Sequence, residues 1–278
     1  MKTWHSAVQS LIDDPAQRAL AEACYFDPPL ARAAQRYADG PEWAAIQALI
    51  NEFGGASRGI AIDIGAGNGI VSYALARDGW QIVAIEPDPS DLVGAGAIRR
   101  LARETGVSID VRAGFGEGLP VESGTAALVV ARQVLHHATD LPAFTCEIAR
   151  ILTPGGLLVC ARDHVISGPE QLQPFLDGHP LHRYYGGENA FRLVNYRQAL
   201  TDAGLRIERE IGSLGSVINY APHTPETLRA EIANRLGPIG PVVEAGLTPA
   251  PILGVALRLL SAVDRRPGRL VSFVCRKG

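Results

Sequence analysis

Five short apolar runs separated by helix-like segments constrain this chain more than any other feature. They are Gly59 to Ile64, Gln81 to Ile85, Ile109 to Val111, Leu128 to Ala131 and Leu157 to Ala161. Runs of this length without strict alternation suit strands buried on both faces, as in a parallel sheet. The clearest helix between them is Asp140 to Leu152, where Leu141, Phe144, Ile148, Ile151 and Leu152 recur on one face. Asp140 caps it, Pro142 is tolerated in its first turn, and Pro154-Gly155-Gly156 stops it and restarts a strand. Strand and helix alternate about five times, so the fold class is α/β, a doubly wound sheet with helices on both faces.

The rest of the chain attaches to that core. The first fifty residues read as helices over Pro15 to Ala23, Leu30 to Tyr37 and Glu42 to Phe53, broken at Asp27-Pro28-Pro29 and Asp39-Gly40-Pro41. We expect a helical cap over 1–55, a core over 56–164, and the remainder of the sheet over 165–278. Within the last part, 165–190 reads as a loop rich in Gly, Pro, His and Tyr. Asn195 to Ala203 reads as a helix capped by Asn195. Leu205 to Ile211 and Leu270 to Cys275 read as strands, with a helical insertion over 215–269 that contains Pro225 to Leu236 and Pro249 to Val263.

A chain of 278 residues can bury one large core or a core with an attached cap. Its net charge of -3 gives no global pull towards nucleic acid, and Arg265, Arg266 and Arg269 read as a solvated turn. The four cysteines include no C-x-x-C pair, so neither redox chemistry nor a metal is expected, and scattered free thiols fit a reducing, cytoplasmic setting. Met1 to His5 lacks the apolar core of a signal peptide. Pro249 to Val263 is interrupted by Arg258 and is short of the ~20 apolar residues a bilayer needs, so no membrane partner is expected.

The first strand runs into Asp63-Ile64-Gly65-Ala66-Gly67-Asn68-Gly69-Ile70. Ligands bind at the carboxyl ends of strands in such sheets, and glycines let a ligand lie against the backbone. A dinucleotide site wants G-x-G-x-x-G and a pyrophosphate at the helix N-terminus. Here the spacing is G-x-G-x-G, position 70 is Ile, and the Asp63 carboxylate would repel a pyrophosphate. An ammonium and a sulfonium suit it better, which points to S-adenosylmethionine (SAM). A plain tight turn would leave a buried Asp without a partner, which is costly. Glu86, at the end of the second run, can accept both hydroxyls of a ribose.

These residues resemble the class I SAM-dependent methyltransferases of the small-molecule type, such as those of the ubiquinone pathway. The resemblance covers Ile60 to Asp163. Asp63 to Gly69 matches the family's D-x-G-x-G-x-G, with Glu86 as its ribose acid. Gly114-Phe115-Gly116-Glu117-Gly118-Leu119-Pro120 matches its adenine loop, Val134-Leu135-His136-His137 the stretch after the fourth strand, and Arg150 to Gly156 its R-x-L-x-P-G-G. Phe115 stands where the family often has an Asp that accepts from the adenine amino group. A Phe can only pack on the base, leaving backbone at Gly116 and Glu117 to read its edge. The resemblance implies a seven-stranded sheet of order 3-2-1-4-5-7-6 with an antiparallel last strand. The expected cofactor contacts are Asp63, Gly65, Ala66, Gly67, Gly69, Glu86, Pro87, Phe115, Gly116, Glu117 and Arg132.

The expected reaction moves a methyl group from SAM to an O, N or C atom of a small molecule and leaves S-adenosyl-L-homocysteine (SAH). Positioning supplies much of such catalysis. A base is needed only if the acceptor must lose a proton, and His137, then His136, are the candidates. Tyr25, Asp163, His164, Tyr184, Tyr185, Asn219 and Tyr220 are the candidate substrate contacts, and Tyr25, Phe26 and Tyr37 the candidate lid. The competing readings are a nicotinamide-dependent oxidoreductase and a SAM-binding protein without methyl transfer.

Overall fold

The computed structural model describes residues 4–54, 58–182, 186–235 and 237–278. Eight strands form one sheet: β1 (Ile60–Ile64), β2 (Gln81–Ile85), β3 (Ile109–Arg112), β4 (Ala126–Arg132), β5 (Leu152–Ile166), β6 (Phe191–Arg192), β7 (Leu205–Ile211) and β8 (Arg269–Lys277). The order is β3-β2-β1-β4-β5-β8-β7, with the two-residue β6 paired beside the end of β5. Counting β6 separately, this is the expected order, and β8 runs antiparallel to both neighbours. All five of the apolar runs are strands, and β5 continues beyond its run at both ends.

The sheet is buried on both faces, which is why its strands do not alternate in polarity. Ile62, Ile64, Val83, Ile85, Val129 and Ala131 point to one core, shared with Leu141, Phe144, Ile148 and Ile151 of α7 (Leu141–Ile151). Their neighbours Ala61, Ile82, Leu128 and Val130 point to the other. That second core is closed by α3 (Leu30–Ala38), α4 (Pro41–Gly54) and α5 (Ile70–Arg77) through Tyr37, Trp43, Ile46, Ile50 and Leu75. Burying each such side chain stabilises by about 1.5–3 kcal/mol. Helices α3 and α4 are therefore part of the sheet's own core. Only the stretch with α1 (Trp4–Asp13) and α2 (Arg18–Ala23) stands outside it, ahead of the carboxyl ends of the strands.

Pro154-Gly155-Gly156 lies inside β5 as an irregularity: Ala126 pairs with Leu152, then Leu128 with Leu157. A Cβ on Gly156 would stand 2.8 Å from the Thr153 carbonyl oxygen, so the backbones close up here as only glycine permits. The helix expected from Asn195 instead covers Leu193–Asp202 with Arg192 at its start, because Asn195 is used by the Arg192 side chain. The expected loop 165–190 contains the end of β5 and a helix, Leu172–Gly178. In the insertion, helices cover Pro225–Arg235, Gly240–Gly246 and Ala250–Val263. No helix among the described residues is long and apolar enough to cross a membrane.

Candidate active site

β1 and β4 are central neighbours from which the strand order departs in opposite directions, so the crevice at their carboxyl ends is the topological switch point. A cavity of about 290 Å³ lies there. The glycine turn forms one wall, with Asp63, Gly65, Ala66, Gly67 and Asn68. Arg132 at the end of β4, Gln133 just after it, and Arg162 and His164 in β5 also line it. His136, His137, His179 and Glu188 line it as well, and so do Trp4, Leu20, Cys24 and Phe26 of the N-terminal segment. A larger groove of about 1060 Å³, against Ile211, Gly212 and Arg258, contains none of the glycine-turn residues.

The turn is built as its glycines require. Gly65, Gly67 and Gly69 have φ of 63°, 56° and 87°. A Cβ on Gly65 would stand 2.4 Å from Val134 Cγ2, whereas one on Gly67 would meet only the Val93 carbonyl oxygen at 4.0 Å. Gly65 is thus small for packing, and Gly67 leaves space beside the cavity. Asp63 is buried and accepts from Ser72 Oγ at 2.5 Å. Burial raises its pKa to about 7 against the hydrogen bonds from Ser72. Glu86 is also buried: its carboxylate accepts from the Gly67 N–H at 2.7 Å and the Asp88 N–H at 2.9 Å. Burial raises it to about 7 as well. The expected ribose acid therefore also ties the glycine turn to the end of β2.

Arg132 is committed to Glu42 of α4, with Nε to Oε1 at 2.6 Å, and its guanidinium lies 5.3 Å from the centre of the Tyr37 ring. Arg162 Nη1 is 3.7 Å from the same carboxylate and donates to the Ile218 carbonyl at 2.7 Å. Burial opposes ionisation of Glu42, and the two guanidiniums overcome it and hold its pKa low. Among the described residues, three other than glycine have positive φ: Tyr25 at 59°, Gln133 at 55° and Arg162 at 65°. Gln133 and Arg162 line the cavity, and the Tyr25 carbonyl accepts from Asn68 Nδ2 of the glycine turn at 2.8 Å. Such backbone costs about 1–3 kcal/mol per residue and collects where geometry is held for a ligand.

Arg162 sits where the β5–β8 register slips between Cys160 and Asp163, and its N–H donates to Ser272 Oγ at 3.0 Å. Bulges re-aim side chains. Here Arg162 and His164 reach the cavity, while Asp163 turns to His136. Asp163 Oδ1 accepts from His136 N–H at 3.1 Å and lies 3.0 Å from His136 Nδ1. The other edge of that ring, Nε2, is 3.4 Å from Glu188 Oε2. Burial would lower the His136 pKa, but its bonds to Asp163 and Glu188 outweigh this and raise it to about 9. His137 Nδ1 lies 2.9 Å from the Gly187 carbonyl oxygen, which fixes that nitrogen as the donor and leaves Nε2 as the acceptor. Desolvation and the nearby His136 charge lower its pKa. Burial and His136 push His164 down to about 3.

Several expected contacts fall elsewhere. Asn219 is buried behind β8, donating to the Ile211 and Gly212 carbonyls and accepting from Ser272 Oγ at 2.6 Å. Tyr220 packs beside Leu228, Leu253 and Leu257. Tyr37 is fully buried between Tyr25 and Trp43, so it packs the core instead of lining a lid. The Tyr25 ring rests on Tyr37, and of the three lid candidates Phe26 lines the cavity. Tyr184 and Tyr185 lie outside the described residues. Phe115 is 71% exposed and Pro87 is exposed, both outside the cavity walls, and Gly116 lies on the Phe144 ring. Glu117 accepts from the Thr139 and Asp140 N–H groups ahead of α7. Glu42 carried no signal in the sequence, because its partner Arg132 is ninety positions away. Glu188 stood out only as one polar residue among many in a loop.

Residues 62–160 match the family described as methyltransferase domain. Over 100 residues the chain is 37% identical to a ubiquinone biosynthesis O-methyltransferase of Methylocella silvestris, covering 36% of this chain and 38% of that protein. A Methylobacterium nodulans protein of the same name is 39% identical over 101 residues, or 39% of its length. The chain thus spans well under half the length of these relatives. Among solved structures, a geranyl diphosphate methyltransferase in complex with SAM superposes with a TM-score of 0.55 at 19% identity, over 99% of this chain and 95% of that one. The [4+2]-cyclase SpnF superposes with a TM-score of 0.55 at 20% identity, over 88% of this chain and 80% of that one. Residues 62–160 are thus similar in sequence to a methyltransferase domain, and the sheet has the strand order that the resemblance implied.

Proposed function

We propose that the chain is a SAM-dependent methyltransferase that moves a methyl group to an O, N or C atom of a small molecule. One observation carries the reading. A buried carboxylate, Asp63, and the open backbone at Gly67 line one cavity together with His136, His137, His164 and His179. Burial that drives Asp63 towards neutrality is relieved by a cationic ligand group. The ammonium of SAM meets that need, Glu86 receives the ribose hydroxyls, and exposed Phe115 stacks on the adenine. Backbone at Gly116 and Glu117 reads the adenine edge, and Ala66, Gly69 and Pro87 shape the turn and the ribose site. Arg132, already neutralised by Glu42, flanks the amino-acid end of the cofactor. When bound, SAM supplies a methyl group made electrophilic by its sulfonium.

The chain's own residues then orient the acceptor and manage its proton. His137 presents Nε2 to the cavity and takes a proton where the acceptor must lose one. His136, gripped by Asp163 and Glu188, holds the wall in place and is a poor base. His164 and Arg162 face the acceptor, and the segment with Trp4, Leu20, Cys24 and Phe26 covers the opening and keeps water out. The size of the cavity supports a small molecule rather than a nucleic acid. All four cysteines are free, which supports a reducing compartment, the cytoplasm.

The experiment is a thermal-shift titration with SAM, SAH, NAD and NADP, followed by turnover assays for SAH release. At about a hundred times its Kd, SAH should add about 2.7 kcal/mol to the fold. Stabilisation by a nicotinamide cofactor, with none by SAM or SAH, overturns the reading. A fold does not fix the reaction carried out on it, so the second reading is SAM binding without methyl transfer. It predicts SAM binding with no SAH release from any acceptor.

A further inference from the structure

Three of the chain's seven histidines face one carboxylate, and a fourth stands beside them. Glu188 Oε2 is 3.4 Å from His136 Nε2 and 4.0 Å from His137 Nε2, and Oε1 is 3.8 Å from His179 Nδ1. The His164 ring lies between those of His136 and His179, with centroids at 4.8 Å and 5.1 Å. One ligand atom each from His136, His164 and Glu188 fall within 4.8 Å of one another, and all three residues are buried.

The outer contacts of these rings matter as much as the inner ones. His136 Nδ1 faces Asp163 Oδ1 at 3.0 Å, and His164 Nδ1 faces the Gly268 carbonyl oxygen at 2.8 Å. Each contact makes Nδ1 a donor and points Nε2 inwards. Metal-binding histidines are held in this way, by a carboxylate or a carbonyl on the far nitrogen. His179 Nδ1 is buried without a hydrogen-bond partner, so a third imidazole nitrogen is available beside Glu188.

We propose that His136, His164 and Glu188, with His179 as a further donor, form a binding site for a divalent ion of the zinc type on the histidine wall of the cavity. Imidazole nitrogens with one carboxylate select zinc, iron, cobalt or nickel over magnesium and calcium, which prefer all-oxygen shells. Bonds of ~2.0 Å in a tetrahedral shell place ligand atoms about 3.3 Å apart, so separations in the cluster must shorten by up to about 1.5 Å around the ion. The ion takes the place of the proton that His136 Nε2 shares with Glu188. His136, His164 and Glu188 leave a fourth position, which His179 or an oxygen of a ligand in the cavity fills. The site rests on these side chains alone and stands whether or not the chain transfers methyl groups.

The test uses the full chain with any affinity tag removed, stripped with a chelator and titrated with Zn²⁺ against a chromophoric competitor. One equivalent should bind, Co²⁺ should give the visible d–d bands of a low-symmetry N/O site, and Mg²⁺ should not compete. His164→Ala and Glu188→Gln should each weaken zinc binding by at least about tenfold. His223→Ala, an exposed histidine outside the cluster, should change nothing. Circular dichroism and an SAH titration on the same samples separate loss of the metal site from loss of the fold or the cofactor site. If either variant unfolds, the Co²⁺ spectrum of the unaltered chain decides. A wild-type chain that binds SAH but takes up no zinc or cobalt overturns the metal site and leaves the function reading intact. So does zinc uptake that neither folded variant weakens.

Discussion

At the scale of single residues, the decisive group is the Asp63 carboxylate. Its ordinary pKa is 3.8 and burial raises it to about 7. Between those values the folded chain holds a proton that the unfolded chain has lost, so the ligand-free fold weakens as the pH rises through that window. Three pH units correspond to about 4 kcal/mol. Asp63→Asn should therefore raise the melting temperature of the ligand-free protein above pH 7 while abolishing tight SAH binding. A cationic ligand needs the ionised form. SAH affinity should thus climb by about tenfold per pH unit below pH 7 and level off above it, and calorimetry should find that slope flattened in the Asn variant. Phe115 offers a second test. A stacked base is worth about 1–3 kcal/mol, so Phe115→Ala should weaken SAH at least fivefold with no change in melting temperature. Glu42 offers a third. Glu42→Gln leaves Arg132 buried without its counter-charge and should cost about 3–5 kcal/mol on thermal unfolding.

At the scale of elements, the strand–turn–helix from β1 to α5 was open to reading because its chemistry is local. An acid, three glycines and an apolar run within eleven positions determine it. The structure added which glycine does what. Gly65→Ala drives a Cβ into Val134 at a φ of 63°, and Gly79→Ala adds one at a φ of 87° with nothing within 4 Å. Both incur backbone strain of about 1–2 kcal/mol, but only the first should also lose cofactor affinity, measured by SAH titration. The bulge in β5 was not open to reading. Nothing in Cys160-Ala161-Arg162-Asp163 announces that the register to β8 slips there, since a bulge depends on what the neighbouring strand offers. Ser272 Oγ, a hundred and ten positions away, takes the Arg162 N–H.

At the scale of the whole molecule, the N-terminal fifty residues divide differently from the expectation. Helices α3 and α4 seal one face of the sheet, whereas residues 4–26 stand at the cavity mouth. We expect removal of residues 1–26 to leave a cooperatively folding protein with a lower melting temperature. SAH affinity should fall, because Trp4, Leu20, Cys24, Phe26 and the Tyr25 carbonyl that holds Asn68 go with it. On the other side, Leu253 and Leu257 of the helix Ala250–Val263 are buried, while Val255, Leu259 and Val263 are exposed. One apolar helix thus has an inside and an outside that hydropathy alone did not divide.

The sequence by itself determined the strands and the glycine turn, because those depend on periodicity and on neighbours within a few positions, whereas the strand order was implied by the family resemblance and not by periodicity. Only the tertiary structure decided which polar residues meet. Glu42 with Arg132, Asp163 with His136, and Glu188 with three histidine rings are each joined across long stretches of chain. It also placed Asn219 and Tyr220 away from the cavity that their polarity suggested. The reason is physical. A strand or a turn is specified by its own residues, whereas a buried polar group is specified by whatever partner the completed fold brings within hydrogen-bonding reach.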